Sequence, residues 1–252
     1  MTSIYDRTDI YDLFNNTKSD EDMKRHWQVL LKDKNIKRIL DVSIGTGNLS
    51  LPIVQMGIEL DGSDISKNML ERCKDKSKEK GYNLRLTQCD FRKLDETIID
   101  KYDCVASTGN SLAHVNNSEL LKVLEQMDSL VEKEGYIYLD TRNWDKILRD
   151  RNRFYLYNPV FKEDERINLV QVWDYNLNNS ITFNLLYTFE KDNKIVQREY
   201  FEELYYPISR DIIIEKLKNL GYESIEISPF PAFLEGVDIH SCDWYCIIAK
   251  KS

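Results

Sequence analysis

The chain has 252 residues, of which 42% are hydrophobic and 31% are charged, and its formal net charge is −8. These values are ordinary for a globular protein with one large domain or two small ones. The acidic balance argues against a protein that grips a nucleic-acid backbone, and no apolar run is long enough to span a membrane. Because the N-terminus lacks the pattern of a signal peptide, we expect a cytoplasmic protein without membrane or nucleic-acid partners.

The cysteines predict free thiols rather than a disulfide framework or a zinc site. They are odd in number and scattered, no C-x-x-C pair occurs, and the chain has only three histidines. This usage is typical of proteins in a reducing compartment. We therefore expect no bound metal.

Residues 1–35 are expected to form an N-terminal arm followed by a helix. Acidic residues and then apolar residues at helical spacing predict a helix over 20–31, with Ser19 as its N-cap. The stretch before it, 4–14, is aromatic and polar without a clean period. It is expected either to pack on the core as an ordering arm or to form a flap over a cofactor, and the sequence leaves both open.

The stretch 38–48 is the centre of the predicted fold, because a short apolar run ends in Asp41 and leads into a glycine pair. It predicts a buried strand, a tight turn and a helix that begins near Leu49. Glycine adopts positive φ easily and lets the backbone approach a ligand, and the start of a helix presents free N–H groups. These features predict a nucleotide-type cofactor site at the tip of the first strand.

The spacing of this turn is Asp41-x-Ser43-x-Gly45-x-Gly47. A dinucleotide fingerprint requires a third glycine where the chain has Ser50. The spacing instead resembles the first motif of class I S-adenosyl-L-methionine (SAM) methyltransferases, an acid followed by G-x-G-x-G, with Ser43 in place of the first glycine. The resemblance implies SAM as the cofactor and S-adenosyl-L-homocysteine as the product, with no metal.

A second acid, Asp64, ends the predicted second strand, 58–64. One carboxylate there can accept hydrogen bonds from both hydroxyls of a ribose. The stretch 62–66 also resembles the G-x-D-x-S segment of SAM methyltransferases. Asp61 is the alternative ribose ligand, and the alternative reading of Asp64 is a helix N-cap.

A third acid, Asp90, lies in the stretch 84–91, which is predicted to form the third strand and its exit. A carboxylate there suits the exocyclic amine of adenine, and Phe91 can border the base. The predicted cofactor contacts also include Asn48, Ile65 and Met69, which lie near the glycine turn or Asp64 along the chain. Thr108 and Gly109, directly after the predicted fourth strand, complete the set.

Two motifs lie at the ends of the predicted fourth strand, 102–107, and the predicted fifth strand, 135–140. A predicted helix that runs to about Glu132 separates these strands. Ligands bind beyond the carboxyl ends of such strands. The stretch 109–114 resembles the G-N-S-x-A-H segment of glycine and glycine/sarcosine N-methyltransferases, and 140–145 resembles their D-x-R-N-[YW]-D segment. The stretch 204–207 is similar to a tyrosine-proline segment of that family's antiparallel lid.

This resemblance implies roles for five catalytic candidates. Asn110 would orient the acceptor and help position SAM, and Arg142 would clamp a substrate carboxylate with its guanidinium fork. Tyr205 or Tyr206 would point a hydroxyl at the sulfonium-methyl region. His114 is a candidate whose alternative is a purely structural hydrogen-bonding histidine.

Arg142 has an alternative reading as well. Asp140 and Asp145 flank it closely along the chain, so it could equally form an ordinary ion pair with one of them.

The second half of the chain predicts an insertion and the end of the main sheet. Alternating aromatic residues predict three or four antiparallel strands, inserted as a substrate lid over 146–207. A helix over 209–221 with Gly221 as its C-cap and strands at 225–227 and 244–249 complete the chain. We therefore expect an α/β fold with a Rossmann-like seven-stranded methyltransferase sheet, formed by 36–145 and 208–252, and an inserted antiparallel β lid.

Three functions follow from these predictions. The first is an N-methyltransferase that acts on a small carboxylated amine such as glycine or sarcosine. The second is an N- or O-methyltransferase of a sugar or secondary metabolite, and the third is a non-catalytic SAM-binding regulator. The family resemblance further implies that the chain can form homo-oligomers.

Overall fold

The computed structural model describes residues 3–15 and 19–252, and within them the chain forms six α-helices, four 3-10 helices and twelve strands in two sheets. The α-helices are α1 (Thr8–Asn15), α2 (Asp20–Leu31), α3 (Lys67–Glu79), α4 (Asn117–Ser129), α5 (Trp144–Asp150) and α6 (Arg210–Asn219). The 3-10 helices are Ile4–Asp6, Leu51–Met56, Phe91–Glu96 and Ser111–His114. The strands are β1 (Arg38–Asp41), β2 (Glu59–Asp64), β3 (Arg85–Gln88), β4 (Tyr102–Ser107), β5 (Val131–Arg142), β6 (Phe154–Leu156), β7 (Val160–Lys162), β8 (Glu165–Tyr175), β9 (Ile181–Lys191), β10 (Lys194–Tyr205), β11 (Tyr222–Pro229) and β12 (Trp244–Lys251).

The main sheet has seven strands in the order β11-β12-β5-β4-β1-β2-β3. The five strands from β5 to β3 are parallel, and β12 pairs antiparallel with both β5 and β11. The predicted α/β class, the seven-stranded sheet and the inserted antiparallel sheet are thereby confirmed. Because β1, β2 and β4 are parallel neighbours, their carboxyl ends meet at one edge of the sheet, where the glycine turn lies.

The central strands are apolar on both faces because helices cover both sides of the sheet. Side chains alternate across a strand, so Ile39 and Leu40 enter two different buried clusters. The Ile39 cluster includes Trp27 of α2, and the Leu40 cluster includes Leu124 of α4. The short apolar runs in the sequence therefore correspond to strands buried between two helical layers.

Several predicted helix ends are confirmed and others need correction. Ser19 caps α2, and a capping box joins it to Asp22. The predicted helix after the glycine turn is a six-residue 3-10 helix, and it ends before Gly57, which adopts the left-handed conformation. The helix predicted to reach Glu132 ends at Ser129, since β5 begins at Val131. The C-cap of α6 is Leu220 rather than Gly221, which follows it with a φ of +90°.

The inserted segment forms a second, antiparallel sheet in the order β10-β9-β8-β6, with β7 also paired to β8. It therefore has five strands rather than the predicted three or four, because β6 and β7 are three-residue strands too short to show a period. Burial alternates along β8 and β9, and the buried side chains join the same cluster as Leu40. The domain boundaries inferred from the sequence remain predictions, and 1–2 and 16–18 of the predicted arm lie outside the described residues.

All five cysteines are free and buried. Within 3–15 and 19–252 no helix combines the length and apolar character needed to cross a membrane. The same part of the chain contains no group of three or more histidine, cysteine or acidic side chains placed to hold a metal ion.

Candidate active site

A cavity of about 250 Å³ lies at the carboxyl edge of the main sheet, against the glycine turn. Its wall combines the turn, the ends of β2 and β4, the N-terminal segment and a set of aromatic side chains. The lining residues are Tyr5, Tyr11, Phe14, Ser43, Ile44, Gly45, Thr46, Asn48, Leu49, Asp64, Met69, Thr108, Gly109, Ser111, Arg142, Tyr157, Phe230 and Trp244. The cavity thus brings together eight of the residues proposed from the sequence, including Arg142.

The two glycines of the turn serve different purposes. Gly45 and Gly47 both have positive φ, of 56° and 83°. A Cβ at Gly47 would lie 2.7 Å from Cγ of Leu51 and 2.9 Å from Sγ of Cys73, so Gly47 is needed for packing. A Cβ at Gly45 would meet nothing within 4 Å, because this backbone faces the open cavity. Gly45 therefore permits the close approach of a ligand.

The serine that replaces the first glycine of the motif is compatible with the turn. Ser43 lies outside the left-handed region, so no glycine is needed there. Its hydroxyl accepts a hydrogen bond from the backbone N–H of Thr108 at 3.1 Å and lies 3.0 Å from Oγ of Ser107. Ser43 thereby ties the end of β1 to the end of β4 while it lines the cavity.

Asp41 lies beneath the turn and does not line the cavity. Its carboxylate is fully buried and accepts hydrogen bonds from Oγ of Ser50, Oγ1 of Thr108 and the N–H of Ser43. Burial raises the pKa of Asp41 to about 6, although the bonds from Ser50 and Thr108 oppose this shift. The structure shows Asp41 shaping the turn, and a direct contact with the cofactor stays a prediction.

Asp64 lines the cavity at the end of β2. Its Oδ2 accepts the N–H of Gly45 at 3.0 Å and its Oδ1 accepts the N–H of Ser66 at 2.8 Å. The N-cap of α3 is Ser66, so the alternative reading of Asp64 as the cap is wrong. Asp61 is bound instead by Arg38 and Arg85, on the far side of the strand. Burial raises the pKa of Asp64.

The remaining cofactor candidates divide into those at the cavity and those away from it. Asn48, Met69, Thr108 and Gly109 line it, whereas Ile65 is 61% exposed and does not. Asp90 and Phe91 are also absent from the lining. Asp90 caps the 3-10 helix that follows it and forms an ion pair with Arg92, whose hydrogen bonds lower the pKa of Asp90. The adenine contacts of Asp90 and Phe91 therefore stay predictions.

Asn110 supports Arg142 through the backbone. It adopts a φ of 63°, is 2% exposed, and does not line the cavity. Its Oδ1 accepts hydrogen bonds from Oγ1 of Thr141 at 2.8 Å and from the N–H of Arg142 at 3.1 Å. The motif after β4 thus holds the end of β5, from which the Arg142 side chain projects. The predicted contact of Asn110 with the acceptor is untested by this geometry.

Arg142 is a half-buried cation between aromatic rings. Its Cζ lies 4.9 Å from the ring centroid of Trp244 and 5.3 Å from those of Trp173 and Phe183. Within residues 3–15 and 19–252 its guanidinium has no hydrogen-bond or ion-pair partner. The two acids that flank it are engaged elsewhere.

Asp140 accepts hydrogen bonds from the N–H of Gly109 and from the hydroxyl of Tyr138, and Asp145 accepts the N–H of Arg210. The alternative reading of Arg142 as an ion-pair arginine is therefore wrong for the described residues.

The N-terminal segment supplies site residues that the sequence did not single out. Tyr5, Tyr11 and Phe14 line the cavity, and the aromatic character of 4–14 was their only signal in the sequence. Asp12 anchors the segment. Its carboxylate is 6% exposed and contacts Nζ of Lys76 at 2.8 Å and Nε of Arg72 at 3.0 Å. Of the two readings of this segment, its position along the cavity wall favours a flap.

His114 forms a hydrogen-bonded cluster with the hydroxyl groups of Tyr5 and Tyr205. Its Nε2 lies 2.7 Å from the Tyr5 hydroxyl oxygen, which is 3.3 Å from the hydroxyl of Tyr205. Burial lowers the pKa of His114 to about 4 and raises that of Tyr205 to about 12. The cluster is therefore uncharged at neutral pH. Tyr5 lines the cavity, whereas Tyr205 and Tyr206 do not, and their predicted roles stay predictions.

The neutral His114 makes stability depend on pH. Between about pH 6.5 and pH 4 the unfolded chain binds a proton that the folded chain does not, so folding stability falls as the pH falls. We expect His114→Gln to reduce this loss by up to about 3 kcal/mol. The raised pKa of Asp41 makes folding stability rise as the pH falls, and this effect is the same in the native protein and in His114→Gln. Urea unfolding at pH 7 and pH 4.5 measures the difference, and equal pH dependence in both proteins would contradict the expectation.

The chain is similar in sequence to known methyltransferases. A family model described as a methyltransferase domain matches residues 39–135. The glycine/sarcosine N-methyltransferase of Halorhodospira halochloris is 35% identical over 119 residues, which are 47% of this chain and only 44% of that protein's length. The enzyme of the same name from Aphanothece halophytica is 26% identical over 226 residues, which cover 88% of this chain and 78% of the relative.

Solved structures share the fold over nearly the whole chain. A SAM-dependent methyltransferase from Clostridium acetobutylicum superposes with a TM-score of 0.78 at 16% identity, covering 97% of both chains. A SAM-bound amino pentose methyltransferase from Micromonospora echinaspora gives 0.73 at 14% identity, covering 100% of this chain and 98% of the other. Residues 39–135 therefore match a methyltransferase domain, and the chain has the fold of the SAM-dependent methyltransferases.

Proposed function

We propose that this protein is a SAM-dependent N-methyltransferase whose acceptor is a small amine that carries a carboxylate. The observation that carries the proposal is the Arg142 guanidinium, which lines the cavity of the glycine turn and has no acidic partner among the described residues. Arginine binds carboxylates through a planar fork of N–H donors. The relatives named glycine/sarcosine N-methyltransferase support the same class of acceptor.

The residues of the cavity fit SAM. Gly45 leaves open space where a Cβ would project, and each oxygen of Asp64 accepts one backbone N–H and retains capacity for a ribose hydroxyl. Tyr11, Phe14 and Met69 add apolar surface that excludes water. When bound, SAM would supply an activated methyl group on a sulfonium sulfur. The amine nitrogen would bond to that methyl carbon as the carbon–sulfur bond breaks, which leaves a thioether, and the amine proton would pass to water.

The residues of the chain contribute orientation. Arg142 would fix the acceptor carboxylate, and Asn110 would hold the backbone from which Arg142 projects. The Tyr5 hydroxyl, bound to the uncharged His114, offers an oxygen at the cavity wall that can accept a hydrogen bond from the amine. Orientation of reacting groups contributes about 7–11 kcal/mol in favourable cases. Transfer to a neutral amine needs no further activation by the protein.

The test is the production of S-adenosylhomocysteine by the purified protein with SAM and a panel of acceptors. The panel contains glycine, sarcosine, dimethylglycine, larger amino acids, simple amines and amino sugars. We expect turnover with carboxylated amines and none with amines that lack the carboxylate. Turnover confined to amino sugars would favour the second candidate function, and binding of SAM without turnover on any acceptor would favour the regulator.

A further inference from the structure

A second cavity, of about 350 Å³, adjoins the first. The two share three lining residues, Arg142, Tyr157 and Trp244, so the guanidinium lies at their boundary. The second cavity extends away from the glycine turn, between α5, the strands β6 and β8, and the start of β12. It is therefore separate from the residues that fit SAM and continuous with the predicted carboxylate anchor.

Apolar and aromatic side chains form about half of the wall of the second cavity, and polar or charged side chains form the rest. Tyr155, Leu156, Trp173 and Ile147 line it, and Tyr155 stacks on Trp173 with ring centroids 3.7 Å apart. This stack gives the cavity a firm aromatic wall. Leu156 is 79% exposed, so the cavity presents an apolar side chain that no other part of the described chain covers.

The charges at the rim neutralise one another. Nζ of Lys146 lies 2.6 Å from Oδ1 of Asp243, and Asp150 is paired with Arg149 at 2.9 Å. Arg142 is therefore the cation of the lining that lacks a carboxylate partner among residues 3–15 and 19–252. The cavity therefore has an apolar part and, at its boundary with the first cavity, a guanidinium without a carboxylate partner among the described residues. This arrangement suits a ligand with a carboxylate at one end and an apolar body.

The size of the second cavity favours acceptors larger than glycine. Sites for drug-sized ligands span about 300–1,000 Å³, and a cavity of about 350 Å³ falls in that range. Glycine has no side chain with which to fill it, and sarcosine adds only a methyl group on nitrogen. Bound to Arg142, either would leave the apolar wall in contact with water, which is unfavourable.

We propose that the acceptor is an α-amino acid with an apolar or aromatic side chain. Its carboxylate binds Arg142, its amine faces the cavity of the glycine turn, and its side chain fills the second cavity. This inference rests on the proposed function and adds the substrate class to it. The side chain buries apolar surface against Tyr155, Leu156 and Ile147, which is the interaction that glycine lacks.

The first test compares kcat/KM for phenylalanine and leucine with kcat/KM for glycine and sarcosine, using the purified protein with saturating SAM. We expect at least a tenfold preference for one of the two larger amino acids, since each added methylene in an apolar pocket is worth about tenfold or more. This comparison needs no variant.

The second test blocks the second cavity. Asn152 lines its mouth and is exposed, so the indole of Asn152→Trp can occupy the space without disturbing the core. We expect kcat/KM for the larger amino acid to fall at least tenfold, while kcat/KM for glycine changes less than threefold and the Kd for SAM is unchanged by calorimetry. Lys162→Trp, at an exposed position of β7 that does not line the cavity, is the matched control.

The outcomes separate this inference from the proposed function. If glycine or sarcosine is methylated at least as efficiently as the larger amino acids, the second cavity is not the acceptor site, while the proposed function stands. If SAM binds but no carboxylated amine is methylated, the proposed function fails and this inference fails with it. A misfolded Asn152→Trp leaves the comparison of acceptors on the native protein as the deciding measurement.

Discussion

Replacement of Arg142 by alanine is expected to lower kcat/KM for a carboxylated acceptor by about 10²–10³-fold, which corresponds to about 3–4 kcal/mol. The guanidinium is half-buried and packed between the rings of Trp173, Phe183 and Trp244, so it would bind a carboxylate in an environment with little competing water. Alanine would leave that carboxylate buried without its counter-charge. The measurement is steady-state production of S-adenosylhomocysteine, together with the Kd for SAM by calorimetry, which we expect to change less than threefold.

Two further variants sharpen this result. Arg142→Lys keeps the charge but loses the planar fork, so we expect an intermediate loss of activity. Arg166→Ala removes an exposed arginine of β8 that is paired with Glu190 and lines neither cavity, and activity should change less than threefold. Full activity of Arg142→Ala on a carboxylated acceptor would remove the observation on which the proposed function depends.

Replacement of Lys76 by methionine is expected to weaken SAM binding by about 10–100-fold. Lys76 is 8% exposed and pairs with the buried Asp12. Burial opposes ionisation of Asp12, but the hydrogen bond from Lys76 and its charge outweigh this and lower the pKa of Asp12. Breaking a buried pair by removing one partner costs up to about 3–5 kcal/mol, because the remaining charge stays buried. Arg72, which also contacts Asp12, offsets part of this cost. We expect the segment with Tyr5, Tyr11 and Phe14 to release from the cavity as a result.

The measurements for Lys76→Met are the Kd for SAM by calorimetry and the midpoint of thermal unfolding. The double variant Asp12→Asn/Lys76→Met removes both charges and should recover most of the lost affinity. Lys67→Ala is the control on the same helix, because the Lys67–Glu71 pair is exposed and such pairs contribute about 0–1 kcal/mol. An unchanged Kd for SAM in Lys76→Met would show that the N-terminal segment does not contribute to the cofactor site.

The sequence by itself determined the features that depend on local pattern. The positions of β1, β2, β4 and the glycine turn followed from apolar runs, an acid and two glycines. Burial requires apolar residues and positive φ favours glycine, so both can be recognised from single residues in the sequence. The N-cap at Ser19 is equally local, since a capping side chain bonds the backbone three residues away. The α/β class, with its inserted antiparallel sheet, could be predicted for the same reason.

Some local patterns have more than one physical outcome. The run after Gly47 predicted a helix, and it forms a 3-10 helix of six residues that ends before Gly57, which is in the left-handed conformation. Asp90 occupies the position predicted for an adenine ligand, and Arg92, two residues on, pairs with its carboxylate. The adenine contact stays a prediction, and the period of the sequence shows neither the helix type nor this ion pair.

Only the tertiary structure decided which distant residues share the site. Tyr5 meets His114 and Tyr205, which are 109 and 200 residues away along the chain, and Asp12 meets Lys76. The second cavity lies between elements that no sequence motif connects. Such contacts depend on how helices and sheets pack against one another. Neither the type of a residue nor its spacing along the chain shows this packing. The sequence therefore identified Arg142 as a cation after the predicted fifth strand. Packing alone left it without a partner among the described residues, between aromatic rings, at the boundary of two cavities.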